Sequence, residues 1–192
     1  MISNKNKAFT LVETLVVMIV IVILSLVVLP NYTSIRQQLA FQRSVSKLVQ
    51  EIRVIQEMAM SAQEIECEIP LSGCGYGIYL RVAPLPFPQI SYALYVDKNN
   101  NYICDGCQGD GGEFIERIFF EGGIKTKRLL MADGTKVNHI NIIFAPSDPT
   151  TFLTDNDGID LGDQISIVIS LISDETETKT ITVNKAGLVD ID

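Results

Sequence analysis

Apolar residues follow three successive rhythms along this chain. From Leu15 to Leu29 the row reads LVVMIVIVILSLVVL, with Ser25 its one polar residue. Phe9 to Leu29 is 21 residues, which as a helix rises about 31 Å and matches a bilayer core. Beyond Pro30, Phe41, Val45, Leu48, Ile52, Ile55, Ala59 and Ala62 recur at steps of four and three, with glutamines and charged residues largely off that row. Such a row is the core face of an amphipathic helix. One helix is therefore predicted over 9–62, with only its second half covered by globular structure. From Ile65 onward, apolar and β-branched runs of five to ten residues stand between Gly, Pro, Asn and Asp clusters, the pattern of antiparallel strands. The predicted strands are Tyr76–Val82, Ile90–Val96, Phe114–Phe120, Lys127–Met131, Asn138–Phe144, Gln164–Ile172, Lys179–Val183 and Leu188–Ile191. The expected fold class is α+β: a long N-terminal transmembrane and amphipathic helix followed by an antiparallel β-sheet head over 63–192.

Composition narrows the function. The chain of 192 residues is 47% hydrophobic and 20% charged, with a mean hydropathy of +0.25. That excludes a disordered chain. The apolar excess sits almost wholly in one segment, which excludes a multi-pass membrane protein. Fifteen Lys and Arg against 23 Asp and Glu leave a net charge of −8, the wrong sign for bulk binding to a phosphate backbone. Lys125, Lys127 and Arg128 form a small basic patch, read as a solvated strand face. His139 is the single histidine and reads as structural. No G-x-S-x-G or similar nucleophile motif is visible, so no enzyme is expected.

The N-terminal segment carries more specific information. Lys5 and Lys7 precede the apolar run, and no small-x-small pattern follows Leu29, which argues against a secretory signal peptide. Glu13 lies inside the apolar span, where an acid costs about 2.5–3.5 kcal/mol on insertion scales. A plain anchor leaves that acid unexplained. Lys7-Ala8-Phe9-Thr10-Leu11-Val12-Glu13 resembles the processing site of type IV prepilins and type II secretion pseudopilins. The resemblance implies a leader of residues 1–8 removed by a prepilin peptidase between Ala8 and Phe9, and N-methylation at Phe9. It makes Glu13 the hallmark acid used in assembly, and 9–29 a membrane span that becomes filament core. Ala8 stands where Gly is the rule. Pro30 and Tyr32 fall where pilin helices carry a proline and an aromatic. In a filament, the Glu13 carboxylate can pair with the N-terminal amine of a neighbouring subunit, offsetting a desolvation that one subunit alone cannot offset. Arg36, Arg43 and Lys47 follow the span before any acid. Positive charge thus flanks both ends, and orientation rests on the processing site rather than on charge.

The helix, the V-D-x-N-x-N loop and the ending Ile181-Thr182-Val183-Asn184-Lys185-Ala186-Gly187 are more narrowly similar to minor pseudopilins of the GspH/FimT type. The expected function is that of a structural subunit, a minor one, of a type IV pilus or a type II secretion or competence pseudopilus. Other pilins, the prepilin peptidase, an assembly platform and the membrane are the expected partners, and nucleic acid is not. The expected location is the bacterial cytoplasmic membrane, single-pass with the head outside, and then the filament. The alternative is a membrane-anchored extracytoplasmic binding module for calcium, DNA or a small ligand.

Cys67, Cys74, Cys104 and Cys107 admit three pairings. A head outside the membrane favours disulfides, and the two local bridges Cys67–Cys74 and Cys104–Cys107 are expected. Six residues separate the first pair, unlike the paired C-x-x-C of zinc sites. Two acidic loops are candidate calcium sites: Asp97, Asn99, Asn101 and Asp105, with Asp110 and Glu113 able to close it, and Asp155, Asp157, Asp160 and Asp163. The competing reading is a solvated turn, because Asn, Asp and Gly are what turns select. Calcium aside, no cofactor is expected.

Overall fold

The computed structural model describes residues 10–61, 74–82, 89–107, 112–146 and 150–192, with the backbone alone for 27–31, 33 and 34. Helix α1 spans Leu11–Met60 and runs unbroken through Pro30. The chain divides into two compact units, Met1–Leu39 and Ala40–Asp192.

In the first unit, every described side chain from Thr10 to Leu26 is exposed. No described part of any helix is long and apolar enough to cross a membrane. Within the apolar run the described side chains stop at Leu26, whereas the run in the sequence continues to Leu29. Ser25 donates its hydroxyl to the Ile21 carbonyl at 2.8 Å, which satisfies the one polar side chain of the run within the helix.

In the second unit the helical row behaves as its spacing predicts. Phe41, Val45, Leu48, Ile52, Ile55 and Ala59 are all buried, while Ala62 lies outside the described residues. These side chains meet two five-stranded antiparallel sheets in one apolar cluster. Among the described residues ten strands form the sheets: β1 Gly75–Arg81, β2 Ser91–Asp97, β3 Phe114–Phe119, β4 Ile124–Met131, β5 Lys136–Val137, β6 His139–Phe144, β7 Thr151–Thr154, β8 Gln164–Leu171, β9 Thr178–Asn184 and β10 Val189–Ile191. Their order is β3-β2-β1-β6-β7 in one sheet and β10-β9-β8-β4-β5 in the other. All eight predicted strands have counterparts; β5 and β7 are additional. The result is an α+β plan of N-terminal helix and β head.

Alternation along the strands gives the first sheet two different faces. Tyr76, Ile78 and Leu80 of β1 join the main core. Tyr79 faces the other way, into a second cluster with Ala93, Tyr95, Cys107 and Ile143. The segment after β2 covers this outer cluster, because Cys107 is only 1% exposed there. Gly77 makes the arrangement fit: it pairs with Tyr95 across the β1–β2 ladder, and a Cβ there would sit 2.4 Å from the Tyr95 ring.

Candidate functional site

Two regions hold the residues singled out by the sequence. The first is the start of α1. Ala8 and Phe9 lie outside the described residues. The Glu13 amide donates to both the Thr10 carbonyl (3.1 Å) and the Thr10 hydroxyl (3.3 Å). Thr10 is therefore the N-cap, and Thr10-Leu11-Val12-Glu13 has the T-x-x-E spacing of a capping box. Glu13 also stands in the first turn, where a carboxylate interacts favourably with the helix dipole. This local role of Glu13 stands beside the assembly role expected from the resemblance, and the T-x-x-E spacing is its signal in the sequence.

The second region is formed by the acidic loops. Asp97, at the end of β2, is fully buried. Its two oxygens accept the amides of Asn101 (3.2 Å) and Tyr102 (3.0 Å). Glu113 accepts the amides of Lys98 (2.9 Å) and Asp105 (2.8 Å). Burial pushes both carboxyls up; backbone N–H donors pull them back, and the Asp105 charge adds to the rise. The Asn99 and Asn101 side chains donate their amide nitrogens to Asp105 at 2.8 and 2.9 Å. Their oxygens accept the backbone amides of Asn101 and Ile103. The loop is thus a series of Asx turns, with Asn100 and Tyr102 at φ 57° and 62°.

The second loop is wired in the same manner. Asp155 accepts the amides of Asp157 and Ile159, both at 2.9 Å. Lys185 lies 2.7 Å from Asp160 and 3.8 Å from Asp163, and its hydrogen bond holds the Asp160 carboxyl below its ordinary range. Among the described residues, no group of three His, Cys, Asp or Glu side chains is placed to hold a metal ion.

The structure joins these loops, which the sequence presented as separate. Asn141 of β6 is fully buried. Its side-chain oxygen accepts the Cys104 amide (3.2 Å) and the Tyr95 hydroxyl (3.3 Å), and its nitrogen donates to the Asp155 carbonyl (2.7 Å). Thr154 donates to the Tyr102 carbonyl, and the Tyr102 and Phe152 rings stack at 4.2 Å. Cys104 and Cys107 are disulfide-bonded, with Cα atoms 5.6 Å apart. Cys74 is disulfide-bonded as well, and Cys67 lies outside the described residues, as does Asp110.

His139 has a partner that the sequence did not show. Its Nδ1 is hydrogen-bonded to the Tyr79 hydroxyl at 2.9 Å. Burial first, and then the nearby Arg81 charge, lower its pKa. The Lys125 ammonium pairs with Glu175, and Lys127 donates to the Glu175 carbonyl, so this basic patch is tied to the β8–β9 connection.

Residues 3–29 match the family model of the prokaryotic N-terminal methylation motif. The chain carries the type IV prepilin-like signal. No curated protein and no solved structure matches it.

Proposed function

We propose that this protein is a structural subunit of a type IV pilus or of a type II secretion or competence pseudopilus. The observation that carries this reading is the methylation motif over residues 3–29. In this reading the chain waits in the cytoplasmic membrane with 9–29 as its span and its head outside. A prepilin peptidase cuts between Ala8 and Phe9, Phe9 is N-methylated, and the subunit passes into a filament on an assembly platform. Removing the leader takes away Lys5 and Lys7 and leaves 13 basic against 23 acidic side chains, a net −10. Leu11 and Met18, 79% and 68% exposed, belong to an apolar surface that lipid and then neighbouring helices would cover. The narrower resemblance favours a minor subunit. The chain is a building block in this reading rather than an enzyme.

Mass analysis of the N-terminal peptide from membrane fractions, with and without the prepilin peptidase, tests the proposal. A methylated Phe9 start that depends on the peptidase is expected. A chain that keeps Met1 in the presence of active peptidase overturns it.

A further inference from the structure

One face of α1 within the head is unused by the core. Arg43, Lys47, Gln50 and Val54 recur at steps of four, three and four, Arg53 flanks them, and all five are exposed. Val54 keeps 40% of its surface in solvent. Arg43 reaches Glu121 at 3.7 Å, while Lys47 and Arg53 have no ion-pair partner among the described residues. Glu51 is half-buried at the edge of this face, and the exposed Glu57 continues its row three residues after Val54. The face is therefore cationic from Arg43 to Arg53, with the exposed Val54 within it and the acid Glu57 at its C-terminal end.

The loop from Asp155 to Asp163 is its counterpart in charge. Asp157 is exposed, the Asp163 side chain is 97% exposed, and Ile159 between them is 61% exposed. The loop is fixed in place by the Asp155 turn, the Asn141 hydrogen bond and Lys185. It is a preformed acidic loop with one exposed aliphatic side chain, Ile159.

We propose that the helix face of one copy docks the Asp155–Asp163 loop of a second copy, with Lys47 and Arg53 facing Asp157 and Asp163, and Val54 facing Ile159. The inference rests on the filament-subunit reading. The two patches are different parts of one surface, so the contact is heterologous and leaves one patch of each kind free to repeat it. Opposite charge supplies orientation and partner choice. It also gives a role to Lys47, one of the cations after the span, which the positive-inside pattern does not. An anionic lipid surface is the weaker occupant. A basic helix lying on a membrane needs its apolar face in the lipid, and here that face is committed to the core.

Charge reversal tests the contact on the full chain in neutral detergent, by sedimentation at low and high salt. Wild type is expected to self-associate in a salt-sensitive manner. Lys47→Glu with Arg53→Glu, and separately Asp157→Lys with Asp163→Lys, should each weaken association about tenfold. All four substitutions together should restore it, which also shows that the variants fold. Association that is absent in wild type, insensitive to salt, unchanged by either reversal, or not restored in the combination overturns the proposal. So does binding of wild type to phosphatidylglycerol vesicles that Lys47→Glu with Arg53→Glu abolishes while leaving self-association intact. Failure here with a methylated Phe9 start leaves the subunit reading standing. Restored association in a chain that keeps Met1 sinks that reading instead.

Discussion

The side-chain amide of Asn141 donates to the main-chain carbonyl of Asp155 at 2.7 Å, while the oxygen of that amide accepts the Cys104 amide. A single buried residue thus satisfies a backbone group in each acidic loop. Asn141→Ala leaves both groups without that partner, and each buried orphan costs about 1–3 kcal/mol. A loss of about 2–4 kcal/mol is expected in chemical denaturation, read as a lower midpoint with an unchanged slope. A loss below about 1 kcal/mol would mean that water replaces the amide and that the loops are independent.

Gly77 and Tyr95 form a second tight pair. A Cβ on Gly77 would lie 2.4–2.7 Å from the end of the Tyr95 ring, which is fully buried. Gly77→Ala should cost about 1–3 kcal/mol, the usual range for overpacking. The same change in a Tyr95→Leu background should cost less, because the ring that it strikes is gone. Equal costs in both backgrounds would place the strain elsewhere.

His139 makes stability depend on pH with a definite sign. Its folded-state pKa is depressed below 6.5 by burial and by Arg81, with Asp155 and Asp157 pulling weakly the other way. The folded state then binds fewer protons than the unfolded state below pH 6.5, so this stability is present above that value and lost as pH falls. Asp97 and Glu113 act oppositely: their raised carboxyls favour the folded state as pH falls toward their ordinary values of 3.8 and 4.5. Subtracting the His139→Gln melting curve from wild type cancels the carboxylates. The difference should shrink between pH 7 and pH 5.5; a constant difference refutes the assignment.

Calcium should have little effect on the loops. The Asn99 and Asn101 oxygens already accept backbone amides, and both Asp97 oxygens do the same. Thermal melts in millimolar calcium and in chelator are expected to coincide. A rise of several degrees would show that the amides turn their oxygens to a cation.

Local periodicity made the helix and eight strands legible, because burial on one face imposes its rhythm on the sequence. Thr151–Thr154 is not legible in the same way, because four residues are too few to display alternation. Its pairing with β6 is a long-range fact that local pattern does not encode. The same blindness hid the site. Thr154 and Tyr102 are 52 residues apart in sequence yet share a hydrogen bond. Asn141 occupies a polar position in a strand, which alternation assigns to solvent, and only the covering loop makes it buried. His139 lacked a visible partner for a like reason, since Tyr79 reaches it from β1.

Glu13 has two roles to separate, one local and one between subunits. Its amide is capped by Thr10, and Gln serves at the third helical position of a capping box as Glu does. Glu13→Gln therefore keeps the cap and removes the charge, whereas Thr10→Ala removes the cap, at about 1 kcal/mol, and keeps the charge. If the carboxylate pairs with a neighbouring N-terminal amine, Glu13→Gln should enter filaments as poorly as Glu13→Ala, and Thr10→Ala should enter nearly as well as wild type. Sheared filament fractions, compared with membrane-bound precursor, give the measurement. Rescue by Glu13→Gln with failure of Thr10→Ala would assign Glu13 to the helix start alone and remove the inter-subunit pairing from the account.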